Sequence, residues 1–252
     1  FTGCSGPAFE GVESAGTGKD GAVSLSIPVP ASTTGDAAGD LLVSILGVKA
    51  NPNTSTSDGW TAVPGFGGFN GAVCAADTQG PACQLSIFYK IADGSETNVS
   101  FDWGSLRQAA AIVLRYSNVD PTGPIGAARS QRGSSDAPTA PVVNTTQDGT
   151  RVLRIVVTET DDAMNFLDGS EVLIDAPNTT RANLVSFPDA TTDAATGCGP
   201  PLSGCRETED AVGLAAADAR RGSAGGSGTA SWELPGGDQW LAASVEIVPA
   251  AP

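Results

Sequence analysis

The stretch Gln84 to Ile91, QLSIFYKI, decides the fold class. Leu85, Ile87, Tyr89 and Ile91 alternate with Ser86, Phe88 and Lys90, and Asp93-Gly94 follows as a turn. A period of two over eight residues is the mark of a β-strand with one face in a core. Upstream, Asp40 to Val48 (DLLVSILGV) is almost continuously apolar and predicts a central strand buried on both sides at its start. Downstream, Asn98 to Trp103 puts Val99, Phe101 and Trp103 on one face, and Gln108 to Tyr116 holds the run AAAIVLRY. Its alanines suit a helix, but its short length and its β-branched and aromatic tail favour a strand.

The same reading extends to both ends. Ala22 to Val29 alternates, with Pro28 and Pro30 fitting an edge or a strand end. Thr150 to Thr158 offers Val152, Ile155 and Val157 to the core, a slip from strict alternation that predicts a bulge. Gly59 to Val63, Pro141 to Asn144, Val172 to Ile174 and Asn183 to Phe187 are weaker strands. Ala211 to Ala219, Gly228 to Leu234 and Trp240 to Val248 complete the chain. With no amphipathic helical run, the expectation is all-β: an antiparallel β-sandwich of jelly-roll type with about ten to twelve strands. Residues 1–20, rich in Gly and Ser, predict a flexible arm or linker. Residues 21–249 then form one sandwich domain; a split near 125–145 is the alternative.

Composition narrows the chemistry. The 252 residues carry 13 Lys and Arg against 28 Asp and Glu, a formal charge of −15, and no histidine. Such a surface repels phosphate backbones and anionic membranes, so no nucleic-acid partner is expected. No run of about 18 apolar residues exists, so no transmembrane segment is expected. The chain starts at Phe1 without an initiator Met or signal peptide, which predicts a processed or trimmed start. Without histidine there is no Ser-His-Asp or Cys-His catalytic group and no imidazole-bound metal. Gly16-Thr17-Gly18-Lys19 continues with Asp20 and follows no strand, so it is not a phosphate loop.

Four of five cysteines form local pairs, Cys74 with Cys83 and Cys198 with Cys205, around turn-forming Gly and Pro. These spacings predict disulfides, each worth about 2.5 kcal/mol by loop entropy, that pin loops 74–83 and 198–205 in an oxidising compartment. Cys4 is left over, as a buried thiol, an inter-subunit disulfide or, from Thr2-Gly3-Cys4, a lipidation site.

The ordered series Gly39 to Val43, Gly59-Trp60-Thr61, Leu85 to Ile91, Ala109 to Pro121 with Pro124-Ile125, Ala230 to Trp232 and Trp240 to Ala243 resembles a diffuse group of bacterial extracellular and phage structural β-sandwich modules. The resemblance spans residues 20 to 249 and implies a jelly-roll-like module of an adhesion, virion or extracellular assembly. It carries over no catalytic residue.

The functional expectation is therefore a non-enzymatic structural subunit of an extracellular, cell-surface or virion-surface assembly. It self-associates or joins other surface subunits, with no catalytic, cofactor or metal residue assigned. A glycan- or host-surface-binding adhesion module is the first alternative. Trp60, Trp103, Trp232 and Trp240 fall on inward-pointing patterns, so Phe66 and Phe69 are the better outward contacts. A carboxylate glycoside hydrolase is the second alternative, drawing on Glu159, Asp161, Asp162, Glu171 and Asp175. The first three of these acids would equally suit a structural calcium ion. Asn53, Asn98, Asn144 and Asn178 lie in Asn-x-Ser/Thr sequons.

Overall fold

The structure, a computed structural model, describes residues 6–18, 20–33, 35, 37–67, 72–74, 76–77, 80–81, 83–159, 165–167, 179–185, 211–234 and 238–251. Every helix or strand among them is a β-strand. The first half of the chain holds β1 (Ala8–Gly16), β2 (Ala22–Pro28), β3 (Leu41–Lys49), β4 (Ser55–Thr56), β5 (Thr61–Ala62), β6 (Ala72–Val73), β7 (Ala76–Asp77), β8 (Gly80–Pro81), β9 (Cys83–Ile91), β10 (Asn98–Arg107) and β11 (Ala109–Ser117). The second half holds β12 (Ile125–Ser135), β13 (Thr139–Ala140), β14 (Asn144–Thr145), β15 (Arg151–Thr158), β16 (Asn165–Leu167), β17 (Thr179–Val185), β18 (Gly213–Arg220), β19 (Gly225–Gly226), β20 (Ala230–Glu233) and β21 (Asp238–Ile247).

The two halves repeat one plan. In the first, a large sheet runs β1-β11-β3-β9-β5, with β6 also on β9, and a small sheet runs β2-β10-β4. In the second, the large sheet runs β12-β21-β15-β18-β17 and the small one β13-β20-β16. Taken in chain order and with two-residue β14 left out, first pairs with last, last with third, and second with second-to-last in both halves. Trp103 in β10 and Trp232 in β20 mark the correspondence: the last strand begins six residues after each, at Ala109 and at Asp238. Cys74 and Cys83 flank the segment that leads into β9; Cys198 and Cys205 lie in sequence between β17 and β18, outside the described residues.

The large sheets stack on each other and share a central core. Alternate residues of β11 (Ala110, Ile112, Leu114, Tyr116) and β21 (Leu241, Ala243, Val245, Ile247) meet there, with Leu41, Val43 and Ile45 from β3 and Leu153, Ile155 and Val157 from β15. The intervening residues turn the other way. Ala109, Ala111 and Val113 join Ile27, Val99, Phe101 and Trp103 in an outer core under the first small sheet. Ala242 and Trp240 join Ala140, Val156 and Trp232 under the second. Four layers result, small–large–large–small, with both large sheets buried on both faces. Each Leu, Ile or Val so buried contributes about 1.5–3 kcal/mol.

Double burial explains the long apolar strands. Leu41 to Val48 is buried throughout, beyond the expected start of that strand. β15 pairs with β18 and β21 without a register shift, so the expected bulge is absent. Its alternation slipped because Val152 and Val156 are buried on the second face.

Other expectations need correction. Half of the N-terminal arm is β1, an edge strand running antiparallel to β11 from Ala8 opposite Ser117 to Gly16 opposite Ala110. Phe9 and Val12 pack on the central core and Ala15 on the outer one, and this burial holds the segment in place. Residues 141–143 separate β13 from β14 rather than forming a strand. Counting segments as short as two residues, the described residues contain twenty-one strands. The expected strand at Val172 to Ile174 lies outside the described residues, as do 186 and 187 at the end of the expected strand from Asn183.

The connection between halves is anchored at the far end of the chain. Asn118 takes a left-handed turn (φ 57°), a conformation asparagine tolerates. Val119 bridges Pro249, and Val248 N donates to Pro124 O at 2.9 Å.

Candidate functional site

The densest polar constellation sits where the two large sheets meet. Asp218 lies on the core-facing side of β18, in line with Leu214 and Ala216, and is fully buried. Tyr116 Oη, from β11, donates to its Oδ2 at 2.9 Å. Arg181, from β17, grips both oxygens, Nε to Oδ2 at 2.8 Å and Nη2 to Oδ1 at 2.9 Å. Arg151 Nη1, from β15, donates to Oδ1, while its Nε reaches Pro7 O at 2.9 Å. The Arg181 guanidinium stands 4.0 Å over the Phe9 ring, and Phe9 meets Tyr116 edge-on at 5.8 Å. One carboxylate thus ties together four strands from both halves, and Phe9 joins β1 to them through its ring.

This arrangement is built to hold rather than to react. A general acid or base needs a proton or lone pair free for a substrate. Both oxygens of Asp218 are occupied twice. Burial, and then the Asp218 charge, pushes the Tyr116 phenol well above its ordinary 10.0, so it remains a protonated donor.

The other buried charges also meet internal partners. Glu246 accepts from Ala127 N (2.9 Å), Thr146 N (2.7 Å) and Thr146 Oγ1 (3.1 Å), tying β21 to the start of β12. Gly126 allows this approach, because a Cβ there would lie 2.2 Å from Glu246 Oε2. Arg154 donates to Ser244 Oγ (2.7 Å) and to the carbonyls of Ser227 and Gly228. Arg115 pairs with Asp40 at 3.2 Å; burial raises the Asp40 carboxyl above its ordinary 3.8, and Arg115 partly offsets it.

Of the expected acidic cluster, Glu159 pairs with Lys49 across the halves, at corresponding ends of β15 and β3. Asp161, Asp162, Glu171 and Asp175 lie outside the described residues. Among the described residues no three His, Cys, Asp or Glu gather as metal ligands.

The Cys74–Cys83 disulfide is formed, with Cα atoms 5.1 Å apart. It does more than pin a surface loop, since both sulfurs are buried in the central core. Cys4, Cys198 and Cys205 lie outside the described residues.

Trp103, Trp232 and Trp240 are core residues, and Trp60 is half-buried against the outer core of the first half. Phe66, expected to face outward, is instead 2 % exposed: its carbonyl accepts from Ile87 N, which draws the ring under β9. Phe69 lies outside the described residues. Asn53, Asn98 and Asn144 are exposed, and Asn178 lies outside the description.

The residues of the Asp218 cluster escaped the sequence reading because they lie far apart in the chain. One signal was present: an acid at a core-facing position of an alanine-rich strand.

A cleft of about 370 Å³ opens where β6 and β12 edge the two large sheets. Gly65 and Val73 line one side, Ser130, Gln131 and Arg132 the other, with Leu241 at its floor. Among the described residues no helix is long and apolar enough to cross a membrane.

No protein-family model, curated protein or solved structure matches this chain.

Proposed function

We propose that this chain is a non-enzymatic structural module of an extracellular or virion-surface assembly. The observation that carries the reading is the four-layer block: two repeated sandwiches share one core and are latched through Asp218. Such a block resists shear between its layers, which suits a subunit that transmits load or packs into a lattice. Leaving out β6–β8, β14 and β19, each half has eight strands: the first, third, fifth, sixth and eighth share one sheet, and the second, fourth and seventh the other. That order supports a jelly-roll plan, here doubled. The disulfide supports an oxidising compartment.

Negative-stain electron microscopy of the native protein, with sizing under non-reducing conditions, tests the reading. Regular filaments or shells are expected. A monomer at every concentration overturns self-assembly.

A further inference from the structure

We propose that the open edge of β12 receives an extended acidic peptide strand, which lengthens the second large sheet by one strand. The inference deepens the assembly reading and rests on it only for where such a strand would come from.

β12 is eleven residues long, contains no proline, and pairs on one side only, with β21. Its other side meets no strand among the described residues. A bulge between Ile125 and Ala128, filled by the Glu246 carboxylate, ends the regular ladder, so the open edge runs from Ala128 to Ser135. An unpaired edge of this length offers a row of backbone donors and acceptors to an incoming strand.

Charge sets the class of partner. Arg129 and Arg132 are exposed within this edge, on a chain whose formal charge is −15. Neither meets a carboxylate among the described residues. Arg132, opposite Leu241, projects toward the first half, while Arg129, opposite Ser244, projects to the other face. An added strand with acids on both faces would meet both cations. A second β12 would instead bring arginines against arginines, which disfavours pairing of this edge with itself.

The cleft beside the edge supplies the second observation. Ser130, Gln131 and Arg132 form one wall, and Val73 of β6 and Gly65 lie opposite, above buried Leu241. Alternate side chains of an added strand would enter this space, which is how strand addition acquires specificity.

The probe is a capped peptide of repeating Glu-Glu-Val-Val, as long as β12, which as a strand carries acids on both faces. Titration at low salt, with hydrogen exchange read across the protein, is expected to show saturable binding and new protection of amides in 128–135. Arg129→Glu with Arg132→Glu should weaken binding about tenfold, with the unfolding midpoint unchanged. A lysine-valine peptide should not bind. Absence of binding, or binding without protection of 128–135, overturns the proposal. It also falls if Arg129→Ser with Arg132→Ser makes the protein self-associate while the peptide still fails to bind, because the arginines then only guard the edge against aggregation. Peptide addition to a protein that stays monomeric supports it, whatever the fate of the assembly reading. Filaments without peptide addition retain assembly and remove β12 from it.

Discussion

Tyr116 and Asp218, 102 residues apart in sequence, share a 2.9 Å hydrogen bond that crosses from one half of the molecule to the other. Its removal should be felt by the whole block. Tyr116→Phe deletes one bond to a charged acceptor and should cost about 1.5–3 kcal/mol. Asp218→Ala leaves Arg151, Arg181 and the phenol without their shared acceptor and should cost about 3–5 kcal/mol. Urea unfolding of both variants checks the order.

The same phenol gives stability a dependence on alkaline pH. Its folded value lies well above the unfolded 10.0, so the folded state keeps a proton that the unfolded state gives up. The contribution is complete below pH 10 and is lost as pH rises beyond it, by up to about 1.4 kcal/mol per pH unit. Unfolding free energies measured above pH 10 should fall less steeply in Tyr116→Phe than in the parent. Parallel slopes would discount the linkage.

At Gly47 the two large sheets approach closely. A Cβ there would lie 2.7 Å from Val157 Cγ2 and 3.1 Å from Val212 Cγ1. Gly47→Ala should cost about 1–3 kcal/mol through overpacking. Adding Val157→Ala should recover part of that loss, a coupling of about 1 kcal/mol that a double-mutant cycle reads directly.

The Cys74–Cys83 link should resist mild reductant in the native state, because both sulfurs are buried. Non-reducing peptide mapping should recover the pair intact. Its replacement by two alanines should lower stability by about 2.5 kcal/mol through the freed loop.

A chain ending at Pro124 keeps the strand pairing of the first half and loses the cover over Leu41, Val43, Ile112 and Leu114. It should aggregate or bind a hydrophobic dye, whereas the whole chain should not. A soluble, monomeric fragment that unfolds cooperatively would show the halves to be independent.

The strands legible in the sequence are those with a clear period or an unbroken apolar run. Gln84 to Ile91 falls within β9, and the expected Gln108 to Tyr116 and Trp240 to Val248 overrun β11 and β21 by about one residue each. β12 carried neither signal: as an edge strand it buries little, and its Arg, Ser, Gln and Gly resemble a loop. β1 was obscured by Glu and Gly among its apolar positions. The repeated plan was hidden because the halves differ in sequence: Arg154 is buried in β15, whereas the counterpart strand, β3, is almost wholly aliphatic. Phe66 was misplaced because a glycine-rich neighbourhood suggested exposure, while two backbone bonds to Ile87, from Val63 N and to Phe66 O, hold the segment against β9. Of the Asp218 cluster, only the parity of Asp218 itself was visible locally.

In each half the opening strand is held by the closing one, β1 by β11 and β12 by β21. Synthesis therefore delivers the partner of β12 long after β12 itself, at Asp238–Ile247. Until then the core-facing side of the first large sheet, with Leu41, Val43, Ile112 and Leu114, lacks the cover of β21. Such late, long-range closure slows folding and lengthens exposure to aggregation. Production of this protein should accordingly depend on chaperone supply and on translation speed through β21 more than on the stability of the finished block.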